Sequence, residues 1–507
     1  MGKQITIDPI TRLEGHGKIN IFLDDKGDVD RVYLQVPELR GFEKFCEGRA
    51  VEEMPTLTQK ICGVCPTAHH TAASKALDHL FGVEPPPAAR KIRELLYNAF
   101  IFEDHLLHFY FLGGPDLIVG PVAPGAERNI FGVIKKVGDE TGKKVIDVRN
   151  RVRKVMATLS GSPLYPVCGL PGGVSKSVSE EERTEIQAVA KDAVELAKAT
   201  LEIFRDVVLK NKAYTKLLYG DLFSHKTYYM GLVDDRDRLN FYDGMVRVVD
   251  PEGKEFARFE AKDYLKHLEE RVDPLSYQKI LYLKNVGWKG FVDGKESGIY
   301  RVGPLARLNA AECMTTDSAQ VEFEKMFDAF GKKPVHNTFA YHWARLVEAL
   351  NAAEMMYELS SDQELTDTKI RNIPTQIPRE GMGVCEAPRG TLFHHYKTNS
   401  DAIVEELNLL VATQNSAAAI SMSVEQAARI LIKGGKVSDG KLNIVEMAFR
   451  AYDPCLACAT HCLDGKSSTI SNLCDKDAFE ALPQTDESSK KAIHCLRRSD
   501  AGCRQLV

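Results

Sequence analysis

Two Cys-x-x-Cys pairs stand near opposite ends of the chain, Cys62-Gly-Val-Cys65 and Cys455-Leu-Ala-Cys458. The first runs on through Pro66 to His69, and the second lies between Asp453 and His461. Both occupy Pro- and Gly-marked turns rather than periodic segments. A turn lets two sulfurs point the same way, as a shared metal requires. Four converging thiolates suit a soft or borderline metal such as zinc, nickel or iron. A structural zinc site is the commoner use of two such pairs, but zinc ribbons keep their pairs roughly 15–20 residues apart. Here most of the protein lies between them, and spacing alone leaves a staple and a catalytic centre both open.

Other residues invite chemistry less directly. Glu14, in Arg12-Leu-Glu-Gly-His16, is a solvated carboxylate or, if buried, a candidate proton carrier. His105 and His108 lie about one helical turn apart and could coordinate a metal, although their aromatic neighbours favour hydrogen-bonded core histidines. Arg389 follows Pro388 and so sits in a turn or extended segment, where the simple reading is a surface arginine. Thr413 and Gln414 form a polar tip after the apolar run Leu407 to Val411.

These residues need elements to hold them. Ile5 and Ile7, then Ile19, Ile21 and Leu23, then Val32, Leu34 and Val36 alternate with mostly polar neighbours, which predicts a small antiparallel sheet with a hairpin over 18–36. Apolar residues at helical spacing from Ala88 to Leu112 predict a long helix ending at Gly113-Gly-Pro115, with Asp116 just beyond. Ser179-Glu-Glu-Glu182 is a capping box opening a second long helix towards Lys210. Residues 240–300 read as a hairpin-bearing insertion, and helical pattern returns at 337–358 and 415–433. The fold class expected is α+β and predominantly helical: one large domain with a long-helix core, a small N-terminal sheet and a β-containing insertion.

Composition sets outer bounds. The 507 residues carry a net charge of −5, which gives no electrostatic case for nucleic acid or an anionic membrane. No apolar signal core opens the sequence and no stretch is long enough to span a bilayer, so a cytoplasmic protein is expected. Cys46, Cys168, Cys313 and Cys385 are scattered singly and read as small buried residues. No set has the spacing of an iron–sulfur cluster, so electrons from a redox metal must leave through another polypeptide.

Asp8-Pro-Ile-Thr-Arg-Leu-Glu-Gly-His16, the first cysteine pair with His69, Glu386-Ala-Pro-Arg-Gly390 and Asp453-Pro-Cys…His461 stand in the order seen in the large subunits of nickel–iron hydrogenases, and the chain resembles that family. The resemblance implies domain boundaries of 1–461, with 462–507 an extension removed by a maturation protease. It further implies Cys62 and Cys455 as terminal nickel ligands, and Cys65 and Cys458 as bridges to an iron carrying carbon monoxide and cyanide. Thr413 and Pro388 would bind that cofactor, and His69 would hydrogen-bond to a bridging sulfur. Glu43 and His461 resemble contributors to a magnesium site. Heterolysis of dihydrogen leaves a proton that needs a base, and Glu14 matches the family's relay. Arg389 resembles the guanidinium above the open metal position, with Asp116 and Asp453 anchoring or neighbouring it.

The implied partners are heterodisulfide reductase-type subunits together with an iron–sulfur small subunit, as in the cytosolic methyl-viologen-reducing type. The cytosolic NAD-reducing type is the alternative. A Complex I-like scaffold lacks the cysteine ligands, so four intact cysteines argue against it. There are two departures from the family pattern. Lys60 stands where Arg is usual, and the tail is long and holds Cys462, Cys474, Cys495 and Cys503, which leaves a second metal site open as its alternative use.

Overall fold

A computed structural model describes residues 3–273, 275–376 and 379–461. The proposed extension and its four cysteines lie outside the described residues. Strands β1 (Gln4–Ile7), β2 (Lys18–Leu23) and β3 (Val29–Gln35) form the expected antiparallel sheet. Ile19, Ile21, Leu23 and Leu34 are buried in it, as the alternation requires.

The first cysteine turn leads into helix α1 (Pro66–Phe81), which has Pro66 in its first turn and Gly82 in the left-handed conformation at its end. Helix α2 (Pro87–Leu107) follows, but the predicted helix does not run evenly to Leu112. At His108–Leu112 the backbone widens into a π turn before Gly113, and Asp116 falls in a separate short helix, Gly114–Ile118. Helix α3 (Asp139–Ser160) precedes α4 (Glu180–Phe204), which opens on the capping box of Ser179 and Glu182.

Residues 240–300, with a strand that precedes them, form two antiparallel units. In the first, β4 (Tyr228–Val233), β5 (Met245–Val249) and β6 (Glu255–Phe259) pair in sequence. The second is the hairpin of β7 (Leu268–Val272) and β8 (Lys279–Leu283). A short strand β9 (Tyr300–Arg301) adds parallel to β4 and leads into α5 (Pro304–Ala310). Helix α6 (Tyr341–Ser361) packs against α2 and α4, and is buried over most of its length. An apolar face so wide marks a central helix.

Strands β10 (Glu380–Ala387), β11 (Gly390–Thr398) and β12 (Val404–Leu410) make a meander lying on α1. Ala387 pairs with Gly390, so Pro388 and Arg389 are the two residues of a tight hairpin loop. Close contact with α1 depends on Gly383: a Cβ there would come within 2.1 Å of the Ala72 carbonyl. Helices α7 (Ala417–Leu431) and α8 (Asp439–Arg450) pack together, and a turn through Asp453 leads to α9 (Leu456–Ala459). No helix among the described residues is long and apolar enough to cross a membrane.

Candidate metal centre

The four sulfurs of Cys62, Cys65, Cys455 and Cys458 are buried and lie within 4.8 Å of one another. Cys62 and Cys455 approach to 3.3 Å, Cys65 and Cys458 to 3.6 Å, and Cys455 and Cys458 to 2.7 Å. Two turns 393 residues apart thus meet as one soft donor set. The first turn is tightened by the Val64 and Cys65 amides, which donate to the Cys62 sulfur at 3.2 Å. The second is held from outside, with Thr413 Oγ1 accepting from the Cys455 amide at 2.9 Å. Burial works against a thiolate at Cys62, yet hydrogen bonds from the other three cysteines carry its pKa well below the ordinary thiol value. Arg389 adds its positive charge to that effect, and a buried thiolate among three further sulfurs suits a metal cation.

Glu14 is brought to the centre by the chain between β1 and β2. Its backbone bridges to Cys455, and its carbonyl accepts from the Leu456 amide at 2.9 Å. Its side chain accepts from the Cys455 thiol at 3.0 Å and from the Ala457 amide at 3.1 Å. Burial raises its pKa, and the negative sulfur of Cys62 adds to the effect. The carboxyl is only partly enclosed, so it reaches from the sulfurs towards the surface. A proton can be held there and released.

Arg389 is buried, not a surface arginine, because its hairpin tip is driven into the molecule. Its Nη1 donates to Asp104 at 3.1 Å, and Nη2 lies 3.0 Å from Asp453 Oδ2 without hydrogen-bond alignment. That second contact is therefore electrostatic. Burial pushes Asp453 up to about 7 against the pull of Arg389 and Arg345. Asp453 also holds φ at +57°, an uncommon conformation for a residue with a side chain.

Asp116 does not take the place expected for it. It pairs with Arg12 at 2.5 Å and with Arg450, on the far side of the π turn. Asp104 stands in its stead, because α2 is still regular there and directs that carboxylate towards the hairpin tip. In the sequence Asp104 stands between Glu103 and His105, and no local signal sets it apart from its acidic neighbour.

The hairpin tip rests on a second charge cluster that sequence reasoning missed. Arg307 on α5 donates to the carbonyls of Ala387 and Pro388 at 2.8 and 3.2 Å. Pro388 is therefore held by its backbone. Arg307 is in turn gripped by Glu348 and Glu386, and Glu348 by His105. His105 and His108 are core histidines, the latter bonded to the Arg450 carbonyl at 2.9 Å.

His69 Nε2 lies 3.6 Å from the Cys458 sulfur. Glu43 is 2.6 Å from Arg40 and 3.2 Å from His461, while His461 Nε2 meets Gln414 at 2.8 Å. Burial opposes ionisation of Glu43, but Arg40 and His461 bring its pKa down to about 2. Its Oε2 is enclosed and unpartnered. The segment ending at His461 is clasped by the residues just before β8, with its amide donating to the Tyr277 carbonyl and Thr460 bridging to Gln278. Lys60 turns outward and places its ammonium 3.5 Å from the Tyr165 ring centre.

A gap of about 10 Å³ opens between His69, Arg389, Thr413 and the sulfurs of Cys65, Cys455 and Cys458. That is near the least room that holds one very small molecule.

A family model described as nickel-dependent hydrogenase matches residues 40–127 and 294–461, and one described as HoxL-like matches 4–39. An F420-non-reducing hydrogenase iron-sulfur subunit from Archaeoglobus profundus is 50% identical over 92% of this chain and 96% of its own length. An F420-non-reducing hydrogenase subunit from Methanothermobacter marburgensis is 39% identical over 91% and 96%. Among solved structures, a NAD+-reducing [NiFe]-hydrogenase in the H2-reduced state superposes with a TM-score of 0.85. It is 36% identical and covers 90% of this chain and 99% of that one.

Proposed function

The chain belongs to the nickel-dependent hydrogenase family as a large subunit, an oxidoreductase acting on hydrogen, and from that premise we propose how its residues divide the work. Cys62, Cys65, Cys455 and Cys458 would hold nickel and iron, with Cys65 and Cys458 serving both metals. When bound, that centre supplies the polarisation that splits dihydrogen heterolytically. The observation that carries the reading is the meeting of four buried sulfurs from both extremities of the chain.

The protein's own part is to receive and export the proton. Glu14 does so, being within hydrogen-bond distance of Cys455 and partly open on its other side. Arg389, balanced by Asp104 and Asp453, presents fixed positive charge above the gap. Thr413 and the Pro388 turn would bind the cofactor's diatomic ligands, carbon monoxide and cyanide, when the centre is filled. Glu43 and His461 would hold magnesium, with Glu43 Oε2 as the unpartnered oxygen donor and Arg40 beside it.

Electrons leave through an iron–sulfur small subunit, because the remaining cysteines among the described residues are scattered. The likeness to F420-non-reducing subunits favours a cytoplasmic, methyl-viologen-reducing complex that works with heterodisulfide reductase-type partners. The NAD-reducing type is the second reading, favoured by the structural match. Residues 1–461 form the catalytic domain, and a maturation protease removes 462–507.

Glu14→Gln tests the core of this proposal. The amide keeps a hydrogen bond to the Ala457 amide but accepts no proton, so turnover falls by about 10²–10⁴-fold with nickel and iron content unchanged. Full hydrogen-dependent dye reduction in that variant would remove the relay.

A further inference from the structure

Strand alternation places His394 and Tyr396 on one face of β11, with His395 turned the other way towards Tyr264 and Glu380. The first face meets α1, one helical turn after the cysteine pair. There His69 Nδ1 lies 3.1 Å from His394 Nε2, and His394 Nδ1 lies 2.6 Å from the Tyr396 hydroxyl. With His69 Nε2 at 3.6 Å from the Cys458 sulfur, this makes an unbroken line: sulfur, imidazole, imidazole, phenol. All four residues are enclosed, with exposures of 1%, 1%, 0% and 0% from Cys458 to Tyr396.

The line has only one consistent polarity. A sulfur that ligates a metal is a thiolate and can only accept. His69 must therefore carry its proton on Nε2, which leaves Nδ1 as an acceptor. His394 must then donate from Nε2 and accept at Nδ1. That acceptor is met by the Tyr396 hydroxyl. Thr58, beside the phenol, already gives its own hydrogen to the Met54 carbonyl at 2.7 Å and cannot supply one. The line ends there, enclosed, with no opening to solvent. A closed line exports no proton. It sets orientation, in contrast to Glu14, which is partly exposed.

We propose that His394 and Tyr396 are positioning residues that lock His69 in the tautomer donating to the Cys458 sulfur, and so set the electron richness of that thiolate. The inference rests on the reading of Cys458 as a metal ligand. A hydrogen bond to a ligating sulfur draws charge from it and raises the reduction potential of the metal. Without Tyr396 or His394 the His69 ring is free to present its bare nitrogen instead, and the potential falls.

The test is a redox titration of the nickel, followed by electron paramagnetic resonance on the holoenzyme with its native partners, in variants matched for nickel content. His69→Ala is expected to lower the midpoint potential most. His394→Leu and Tyr396→Phe lower it in the same direction, whereas His394→Gln, whose amide can donate inward and accept outward, stays near wild type. Tyr396→Phe removes a single oxygen, so it keeps the test open should His394→Leu fold badly. Wild-type potentials in Tyr396→Phe and His394→Leu, beside a shifted His69→Ala, would overturn the lock alone. An unshifted His69→Ala would overturn the tuning role and the lock with it, whereas a purified complex without nickel would take away the reading of Cys458 as a metal ligand.

Discussion

Replacing Arg307 by Met removes the charge on which the Arg389 turn is built. Arg307 is fully enclosed and donates to the two oxygens of Glu348 at 2.7 and 2.6 Å and to Glu386 at 2.8 Å. Taking one partner out of a buried ion pair costs about 3–5 kcal/mol. A second route gives a similar figure. The protein can relieve the stranded charge by protonating one carboxyl, and holding a group of ordinary pKa near 4.3 neutral at pH 7 costs about 4 kcal/mol at roughly 1.36 kcal/mol per unit. The loss stays near that level because both carboxylates keep other partners. His105 remains on Glu348 at 2.9 Å, and the Thr391 hydroxyl remains on Glu386 at 2.8 Å.

The pH dependence has a definite sign. Burial already raises Glu386 in the wild type against the pull of Arg307, and the variant raises it further. A carboxyl with a raised folded pKa contributes stability below its unfolded value and loses it as pH rises. The gap between variant and wild type is therefore small near pH 4–5 and widens above it, by up to about 1.4 kcal/mol per unit for one group. Urea midpoints from pH 5 to 8, followed by the fluorescence of Trp343 on the same helix as Glu348, measure it. A loss below about 1 kcal/mol at pH 7, or a gap that does not change with pH, refutes the reasoning.

Arg389→Lys puts one ammonium where a planar fork now faces both Asp104 and Asp453, so hydrogen-dependent dye reduction is expected to fall about 10²-fold with nickel content intact; wild-type rates would deny the guanidinium its part. Gly383→Ala sets a methyl against the α1 backbone, within 2.1 Å of the Ala72 carbonyl, and should destabilise by about 1–3 kcal/mol or more in urea. Ser179→Ala deletes the acceptor for the Glu182 amide at 3.2 Å, which predicts a loss of about 1 kcal/mol in the same assay and no change in activity per nickel. Metal analysis of the purified complex should return nickel with iron, and zinc alone would mean that the four sulfurs serve as a staple.

Local pattern was enough for what depends on neighbours in sequence. Alternation of Ile19, Ile21 and Leu23 set the first sheet, because a half-buried strand repeats every two residues. The Ser179 and Glu182 pair set the start of α4, because a capping box is closed within one turn. Cysteine spacing set the two metal-binding turns, and a Pro before Arg389 set its loop. Only the tertiary structure could say what those pieces face. Arg389 reads as an exposed arginine until the hairpin tip meets Asp104 on α2 and Arg307 on α5. Asp104 and Asp116 are two acids on one helical stretch until the π turn at His108–Leu112 separates their directions. His394 and Arg307 carry no local mark at all, since their partners His69 and Ala387 lie 325 and 80 positions away. Backbone propensity is a short-range property of the chain, whereas a buried charge or hydrogen bond is decided by what packing brings to it.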